Sequence, residues 1–179
     1  MPTRFGVNTA DVAAKFAMFA DLGVVTVPDD YEHGSRLGSF VRTNLWKFYH
    51  IDSNISDRHF PNPSRILKPG DKLLVQVFRQ VLPGVATFKE CMTFLGLKKA
   101  VYPGAQGASL VWEEKRNELP KDIWLGSYDD KSRLWKDADG FHWLPGVQVY
   151  GNGVCRFYLF RLDKDMPASR GFLCFSEIV

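Results

Sequence analysis

The sequence predicts an α+β fold, with an antiparallel or mixed sheet of five to six strands and about three helices packed on one face. Two observations lead to this class. Apolar residues recur at helical spacing in three stretches, and the last third of the chain holds β-prone runs separated by turn residues. The 179 residues suit a single globular domain over 1–179, whose core is large enough to fold without metals or disulfides.

Each of the three predicted helices has a recognisable beginning or end. Asn8 is a suitable N-cap for the first helix, and Gly23 follows its last turn. Thr87 and Glu90 have the spacing of a capping box, in which the two side chains satisfy free amides at the start of a helix. Pro120 ends the third helix, which follows a flexible glycine-containing stretch. The predicted helices cover residues 9–22, 87–96 and 108–119.

Strands are predicted where β-branched and aromatic residues run between turn residues. The clearest run, 72–81, follows a Pro69-Gly70 turn and is apolar on both faces, which is typical of a central strand. Gly151-Asn152-Gly153 predicts a hairpin between the two runs beside it. The predicted strands cover residues 24–27, 40–50, 72–81, 123–128, 143–150, 154–162 and 171–178.

Composition and missing motifs exclude several classes of protein. The three cysteines, Cys91, Cys155 and Cys174, are scattered in apolar stretches, which indicates buried thiols rather than a disulfide framework or a zinc ribbon. No apolar run approaches the roughly 20 residues of a membrane helix, and the N-terminus lacks a signal-peptide core. We therefore expect a cytoplasmic protein without a membrane partner. The sequence predicts no cofactor, because it matches neither a phosphate-binding loop nor a calcium loop.

The basic residues are concentrated in one segment of a chain whose net charge is only +3. Residues 36–89 hold nine basic and three acidic residues, a net charge of +6, and aromatic rings are interleaved with the charges. Cations attract phosphates and exposed rings stack on bases, so this segment predicts a surface for nucleic acid or for an acidic protein. The alternative is that the rings belong to the core and the charges to a solvated face. The candidate binding residues are Arg42, Lys47, Arg58, Arg65, Lys68 and Lys72.

Two histidines and two aspartates form a near-mirror, His50-Ile51-Asp52 and Asp57-Arg58-His59. Neutral imidazole and ionised carboxylate suit zinc or manganese. His50, Asp52, Asp57 and His59 are therefore the candidate ligands of an alternative, a metal-dependent hydrolase or nuclease. Histidine and aspartate are also common in polar loops, where they cap turns and contact water.

Three hypotheses about function follow from these patterns. The favoured one is a non-enzymatic binding module that uses the basic segment 36–89 for nucleic acid or an acidic protein. The second is the metal-dependent hydrolase or nuclease. The third is a structural or inhibitor protein that acts through protein–protein contact, for which a single sequence carries no signature.

Several motifs in the second part of the chain also point to a family. They are Ser53-Asn54-Ile55-Ser56, His59-Phe60-Pro61, the strand at 72–79, Gly104-Ala105-Gln106-Gly107-Ala108-Ser109-Leu110, Glu114-Lys115-Arg116 and Leu134-Trp135-Lys136-Asp137. In these motifs the chain resembles a family of small uncharacterised proteins from uncultured bacterial genomes. The resemblance covers residues 53–179 and leaves 1–52 as a part particular to this sequence. It implies a common fold and assigns no activity.

Overall fold

The computed structural model describes residues 7–178, and it contains four α-helices and ten strands. The helices are α1 (Thr9–Lys15), α2 (Arg36–Asn44), α3 (Phe88–Leu97) and α4 (Gly104–Lys115). The strands are β1 (Phe16–Thr26), β2 (His50–Ile51), β3 (Lys72–Gln80), β4 (Val85–Ala86), β5 (Ile123–Ser127), β6 (Trp135–Lys136), β7 (His142–Val149), β8 (Cys155–Arg161), β9 (Met166–Pro167) and β10 (Gly171–Glu177). Within the described range, no helix is long and apolar enough to cross a membrane.

Eight of the strands form one mixed sheet, so the predicted α+β class is confirmed. Its order is β1-β3-β10-β5-β7-β8-β2, and β6 pairs with the start of β7. Most neighbours are antiparallel, whereas β10 runs parallel to β5 and β2 runs parallel to β8. The remaining strands, β4 and β9, form a separate antiparallel pair. The main sheet thus has more strands than the five to six that the sequence predicts, because the short strands β2 and β6 carry no recognisable alternation.

The helices cover both faces of the sheet, which corrects the prediction that they pack on one face. Side chains of α2 and α4 pack with Leu73, Val75 and Val77 of β3 in one hydrophobic layer, here called the α2/α4 layer. Side chains of α1 and α3 pack with Phe78 and Phe172 in a second layer on the opposite face. Alternate side chains of β3 and β10 enter different layers, since successive residues of a strand point to opposite faces. The described structure therefore has four helices where the sequence predicts about three, and helices cover both faces of the sheet.

Helix α4 lies deepest, and it begins earlier than the sequence predicts. Every residue from Gly104 to Trp112 is buried, including the glycine-containing stretch predicted to be a flexible connection before the helix. A Cβ on Gly107 would stand 2.3 Å from Cγ of Pro103 and 3.0 Å from the ring of Phe175 on β10. The small residues at the start of α4 therefore let its backbone approach the sheet closely.

The predicted helix over 9–22 is wrong beyond Lys15, because the chain continues as strand β1. Pairing with β3 satisfies the backbone of β1 from Phe16 to Thr26, and tertiary pairing overrides a local helical pattern. Irregularities in the register fall between Met18 and Ala20 and again between Asp21 and Gly23. Each one shifts the alternation of buried and exposed side chains, which is why the apolar spacing looks helical in the sequence.

The predicted strand over 40–50 is also wrong, since its first half belongs to helix α2. Leu37, Phe40 and Asn44 are buried at helical spacing on the side of α2 that faces α4. A short 3-10 helix, Leu45–Lys47, follows, and only His50 and Ile51 pair as a strand. The aromatic residues that suggested a strand lie in the bend between these elements.

Other predicted elements are confirmed. Helix α3 begins with the capping box, in which the Thr87 side chain accepts from the Glu90 amide at 3.2 Å and Glu90 accepts from the Thr87 amide at 2.8 Å. The long strand predicted over 72–81 is β3, which lies between β1 and β10. The hairpin predicted at Gly151-Asn152-Gly153 joins β7 to β8.

Two glycines on neighbouring strands make room for Trp124, the largest side chain of the second hydrophobic layer, to which α1 and α3 contribute. Gly126 of β5 and Gly146 of β7 are directly opposite each other, and the ring of Trp124 lies over both. A Cβ on Gly146 would stand 2.3 Å from two carbons of that ring. Trp124 is 2 % exposed, so its ring cannot move aside into solvent.

We expect Gly146→Ala to lower the free energy of unfolding by about 2–4 kcal/mol, because the added methyl group overlaps a ring in a packed core. Urea denaturation measures the change. The control is Gly96→Ala in α3, where nothing lies within 4 Å of the new Cβ, and where alanine raises helix propensity by up to about 1 kcal/mol. Equal stability of the two variants would contradict the packing assigned to Trp124.

Candidate functional site

The six basic residues predicted to bind a partner divide into two groups near opposite edges of the sheet. Lys72 begins β3, whereas Lys47 ends the short 3-10 helix that comes before β2. In the strand order these two strands are five positions apart, which corresponds to about 24 Å at about 4.8 Å per strand. Segment 36–89 therefore does not form a single surface.

The group near β3 comprises Arg65, Lys68 and Lys72. Arg65 forms ion pairs with Asp71 at 2.9 Å and with Glu177 at 2.6 Å, so its charge is neutralised within the protein. The hydrogen bond with Glu177 raises the pKa of Arg65, which keeps it ionised. Lys68 and Lys72 are exposed in a turn and at a strand end, with no cleft beside them among those found in the described part of the chain.

The group near β2 comprises Arg42, which lies within helix α2, and Lys47 and Arg58, which follow that helix. Nη1 of Arg42 and Oδ2 of Asp57 lie 3.4 and 3.2 Å from the position that a Cβ on Gly38 would take, so Arg42 lies beside the loop that carries Arg58. Lys47 lies just after the other end of the helix. Lys47 and Arg58 each border a cleft, whereas Arg42 lines neither of these two clefts.

The first cleft, called here the Trp46 cleft, has a volume of about 250 Å³. It is lined by Trp46, Lys47, Trp112, Arg116, Asn117, Lys121, Val149, Gly153 and Cys155. Three of these residues are cations and none is an acid. Within residues 7–178, the ion pairs formed do not include Lys47, Arg116 or Lys121. The cleft therefore carries positive charge that the protein does not neutralise.

Aromatic rings and cations are in contact in the Trp46 cleft. Nζ of Lys47 lies 5.1 Å from the ring centroid of Trp46 and 5.9 Å from that of Trp112, and Cζ of Arg116 lies 5.2 Å from the Trp112 centroid. Trp112 is buried, whereas Trp46 is 79 % exposed and is held by a 3.1 Å hydrogen bond from its Nε1 to the carbonyl of Thr43. An indole so exposed contributes little to the core, and most of its surface is open to a ligand.

A second exposed ring lies at the same edge of the sheet. Tyr49 is 74 % exposed, and its amide donates to the carbonyl of Cys155, which lines the cleft. The guanidinium carbon of Arg156 lies 5.1 Å from the Tyr49 centroid and 5.4 Å from the Tyr150 centroid. Nε of Arg156 is buried without a hydrogen-bond partner in the described structure. Aromatic rings and cations thus alternate around the start of β8.

Three of the four residues proposed as metal ligands have other contacts, and the fourth, His50, is exposed. Oδ1 of Asp52 accepts from the amide and side chain of Asn54, Nδ1 of His59 is 3.0 Å from the Asn54 carbonyl, and His50 is exposed on β2. Among the described residues, no three His, Cys, Asp or Glu side chains are grouped so that they could hold a metal ion. The sequence spacing suggested a cluster because it places these residues in one loop, but their side chains are used by different turns.

Asp57 has a structural contact that its place in the sequence does not reveal. Its two carboxylate oxygens accept from the amides of Leu37 and Gly38, both at 2.8 Å, at the beginning of α2. The N-cap residue Ser35 makes no such bond with its side chain. Asp57 therefore caps α2 from a distant loop, and its negative charge interacts favourably with the positive end of the helix dipole.

A buried carboxylate, Asp129, lies near the start of α4 and anchors a loop. It accepts from the hydroxyl and the amide of Ser64, the latter at 3.0 Å, and from its neighbour's amide at 2.7 Å. Burial raises the pKa of Asp129, although these hydrogen bonds act in the opposite direction. Its contacts hold residues 63–65 against the start of α4.

Sequence reasoning did not identify the cations that complete this surface. Arg116, Lys121 and Arg156 lie outside the basic segment, in regions with balanced charge. They meet Lys47 only because β2 pairs with β8 and α2 packs on α4, contacts between residues far apart in the chain. No known protein family, curated protein or solved structure matches this chain. The resemblance over residues 53–179 therefore stays a prediction.

We expect Asp57→Ala to lower the free energy of unfolding by about 1–3 kcal/mol, because two amides at the start of α2 lose a charged acceptor. Thermal or urea unfolding measures the loss. Asp52→Ala is the control, since its carboxylate bonds only to Asn54 in its own turn. Equal losses in the two variants would show that the cap adds nothing.

Asp129 should make stability depend on pH. Its pKa is raised in the folded state above the value of about 3.9 of an unfolded Asp, so the folded state binds the proton more tightly. The contribution is present below about pH 3.9 and is lost as pH rises through the raised pKa. We expect the unfolding free energy of the wild type minus that of Asp129→Asn to fall with rising pH. A stability difference that stays constant as the pH rises above about 3.9 would contradict this expectation.

Proposed function

We propose that this protein is a non-enzymatic binding module that takes single-stranded nucleic acid in the Trp46 cleft. The observation that carries the proposal is the 79 % exposed indole of Trp46, which lies beside cations without ion-pair partners in the described structure. Aromatic faces that stack on bases, together with cations that track phosphates, are the features of single-strand-binding surfaces.

The exposed rings favour nucleic acid over an acidic protein surface. Lys47, Arg116 and Lys121 would attract either partner, because attraction to negative charge does not distinguish a phosphate from a carboxylate. Trp46 and Tyr49 are the most exposed of the large apolar and aromatic side chains described, and their faces suit a flat partner. Bases present free faces only when they are unstacked, so the preferred ligand is a single strand rather than a duplex.

The position of the cleft also supports a binding role. It lies between the ends of α2, α4 and β7, where rigid elements fix the rings and cations in place. Lys47 is held towards the cleft by a 3.0 Å hydrogen bond to Oδ1 of Asn44, which itself bonds to Glu113 of α4. Such a surface is preorganised, so ligand binding costs little side-chain conformational entropy.

We place the protein in the cytoplasm, as the sequence predicts. Cys91, Cys155 and Cys174 are buried free thiols. Burial raises the pKa of Cys91 to about 12 and that of Cys174 to about 11, which keeps both as unreactive thiols. Free cysteines of this kind are typical of a reducing compartment.

The test uses fluorescence anisotropy to measure the binding of labelled single-stranded DNA and RNA across a series of salt concentrations. We expect Trp46→Ala to weaken binding about 5- to 150-fold, the equivalent of the about 1–3 kcal/mol that one stacked base contributes. Lys47→Ala and Arg116→Ala should each reduce the slope of log K against log salt by about 0.7, the contribution of one phosphate of a single strand.

Lys68→Ala and Lys72→Ala are the matched controls, because they remove the same charge at the opposite edge of the sheet. The Trp46 cleft predicts that they leave both affinity and salt slope unchanged. Equal losses at all four basic positions would show that binding depends on overall charge rather than on this cleft. Binding of poly-glutamate that is as tight as that of oligonucleotides would replace nucleic acid by an acidic protein partner.

A further inference from the structure

The loop after β2, a 3-10 helix and strand β6 together form a second basic cleft, called here the Trp135 cleft. Its volume is about 280 Å³. It is lined by Arg58, His59, Pro61, Asn62, Ser132, Arg133, Leu134, Trp135 and Lys136. Three cations converge on it from three segments, and its lining includes no acidic residue. Of these three cations, only Arg58 belongs to the basic segment 36–89, so the charge pattern of the sequence did not indicate this site.

The cations of the Trp135 cleft have no direct side-chain partner in the described part of the protein. Within residues 7–178, Arg58, Arg133 and Lys136 take part in none of the ion pairs and in none of the side-chain hydrogen bonds. The neighbouring carboxylates bond to other groups but keep their charge: hydrogen bonds with Ser132 lower the pKa of Asp130 most, and the charge of Arg133 lowers it further. Asp130 accepts from the amide and hydroxyl of Ser132 at 2.8 and 2.6 Å, and Asp137 accepts from the amide of Phe141 and Nε1 of Trp143 at 2.9 and 2.8 Å.

The titration of His142 is consistent with this positive potential. Burial is the largest cause of the lowered pKa of His142, and the charges of Lys131 and Lys136 lower it further, whereas the charge of Asp137 raises it. His142 pairs with Lys136 between β7 and β6, so it lies at the border of the cleft. A negatively charged ligand would relieve the repulsion that these cations exert on each other.

One wall of the cleft is a rigid stack of rings. The imidazole of His59 stacks on Trp135 with centroids 4.8 Å apart, and Trp135 stacks on Trp143 at 6.1 Å. Nδ1 of His59 is engaged with the Asn54 carbonyl, and Trp135 packs against the α2/α4 layer. The wall is thus fixed by the core, while the cations opposite are exposed and free to close on a ligand.

We propose that the Trp135 cleft binds a terminal phosphomonoester, and that this phosphate is the end of the strand held in the Trp46 cleft. A phosphomonoester carries a charge of about −1.5 to −2 at neutral pH, whereas each internal phosphodiester carries only one negative charge. Three unpaired cations around one concave site match the more highly charged group. The guanidinium groups of Arg58 and Arg133 suit bidentate contact with its oxygens. The identity of the strand rests on the proposed function.

The two clefts are separated by a distance that one strand can span. The Trp46 cleft includes Val149 at the end of β7, whereas β6 in the Trp135 cleft pairs with Trp143 near its start. Six residues of a strand extend about 20 Å, which is the length of about six stacked nucleotides at about 3.4 Å each.

The experiment compares oligonucleotides of eight to ten nucleotides that differ only at their ends: 5′-phosphorylated, 3′-phosphorylated or with hydroxyl groups at both ends. We expect phosphorylation of one end to tighten binding by about tenfold, the effect of charge-assisted hydrogen bonds to the added group. Arg133→Ala should abolish this difference and leave the affinity for the unphosphorylated strand within twofold of the wild type. Lys89→Ala, on α3 at the opposite face of the sheet, is the control and should retain the tenfold difference.

The Trp135 indole gives a second readout that does not depend on oligonucleotide binding. Inorganic phosphate should shift its NMR signal in the wild type and not in Arg133→Ala. If oligonucleotides bind with the same affinity whether or not they are phosphorylated, the inference is overturned while the proposed function stands. If no oligonucleotide binds but inorganic phosphate shifts this signal, the proposed function fails and the phosphate site is supported with a free phosphate compound as its ligand. If neither effect occurs, both are overturned.

Discussion

A single carboxylate, that of Glu113 on α4, holds both ends of helix α2. Its Oε2 accepts from Arg36 at 2.6 Å, and its Oε1 accepts from the side chain of Asn44 at 2.9 Å. The pair is largely withdrawn from solvent, so removing one partner would leave a charge without compensation. Because α2 is fixed to α4 in this way, the residues that follow it must lie beside Trp112. The position of Lys47 and Trp46, and with it the shape of the Trp46 cleft, depends on this contact.

The rest of α2 is held by packing of rings and by a distant cap. Phe40 contacts Phe48, Trp112 and Phe157 in edge-to-face arrangements with centroids 5.7 to 5.8 Å apart. Such contacts add to the burial of the rings and fix their orientation. Asp57 caps the start of the helix, so the loop that carries Arg58 cannot move independently of α2. Both basic clefts are therefore attached to the same helix.

The sequence could predict those elements whose stability is local. The capping box of α3, the hairpin between β7 and β8, and the length of β3 all follow from neighbouring residues, and the structure confirms them. The first third of the chain could not be predicted in this way. There, register shifts in β1 produce apolar spacing like that of a helix, and the helix α2 contains residues that favour strands. In both cases, contacts with distant segments decide the outcome.

The candidate site shows the same division. Lys47 and Arg58 could be predicted because they lie in the basic segment with exposed rings. Arg116, Lys121, Arg133 and Lys136 could not, since the packing of α2 on α4 and the pairing of β2 with β8 and of β6 with β7 bring them to the clefts. Arg65 belongs to the segment by sequence, yet Asp71 and Glu177 neutralise it. Charge along a chain indicates a surface only after folding has determined which carboxylates lie near it.

The shortness of β2 has a consequence for the dynamics of this edge. Only two register pairs, His50 with Arg156 and Ile51 with Phe157, join it to the sheet. A local opening that breaks them leaves the seven other strands paired, so it requires much less free energy than global unfolding. The edge next to both clefts is thus a separate unit of hydrogen exchange, and any ligand that spans it would slow exchange there before it changed the melting of the whole domain.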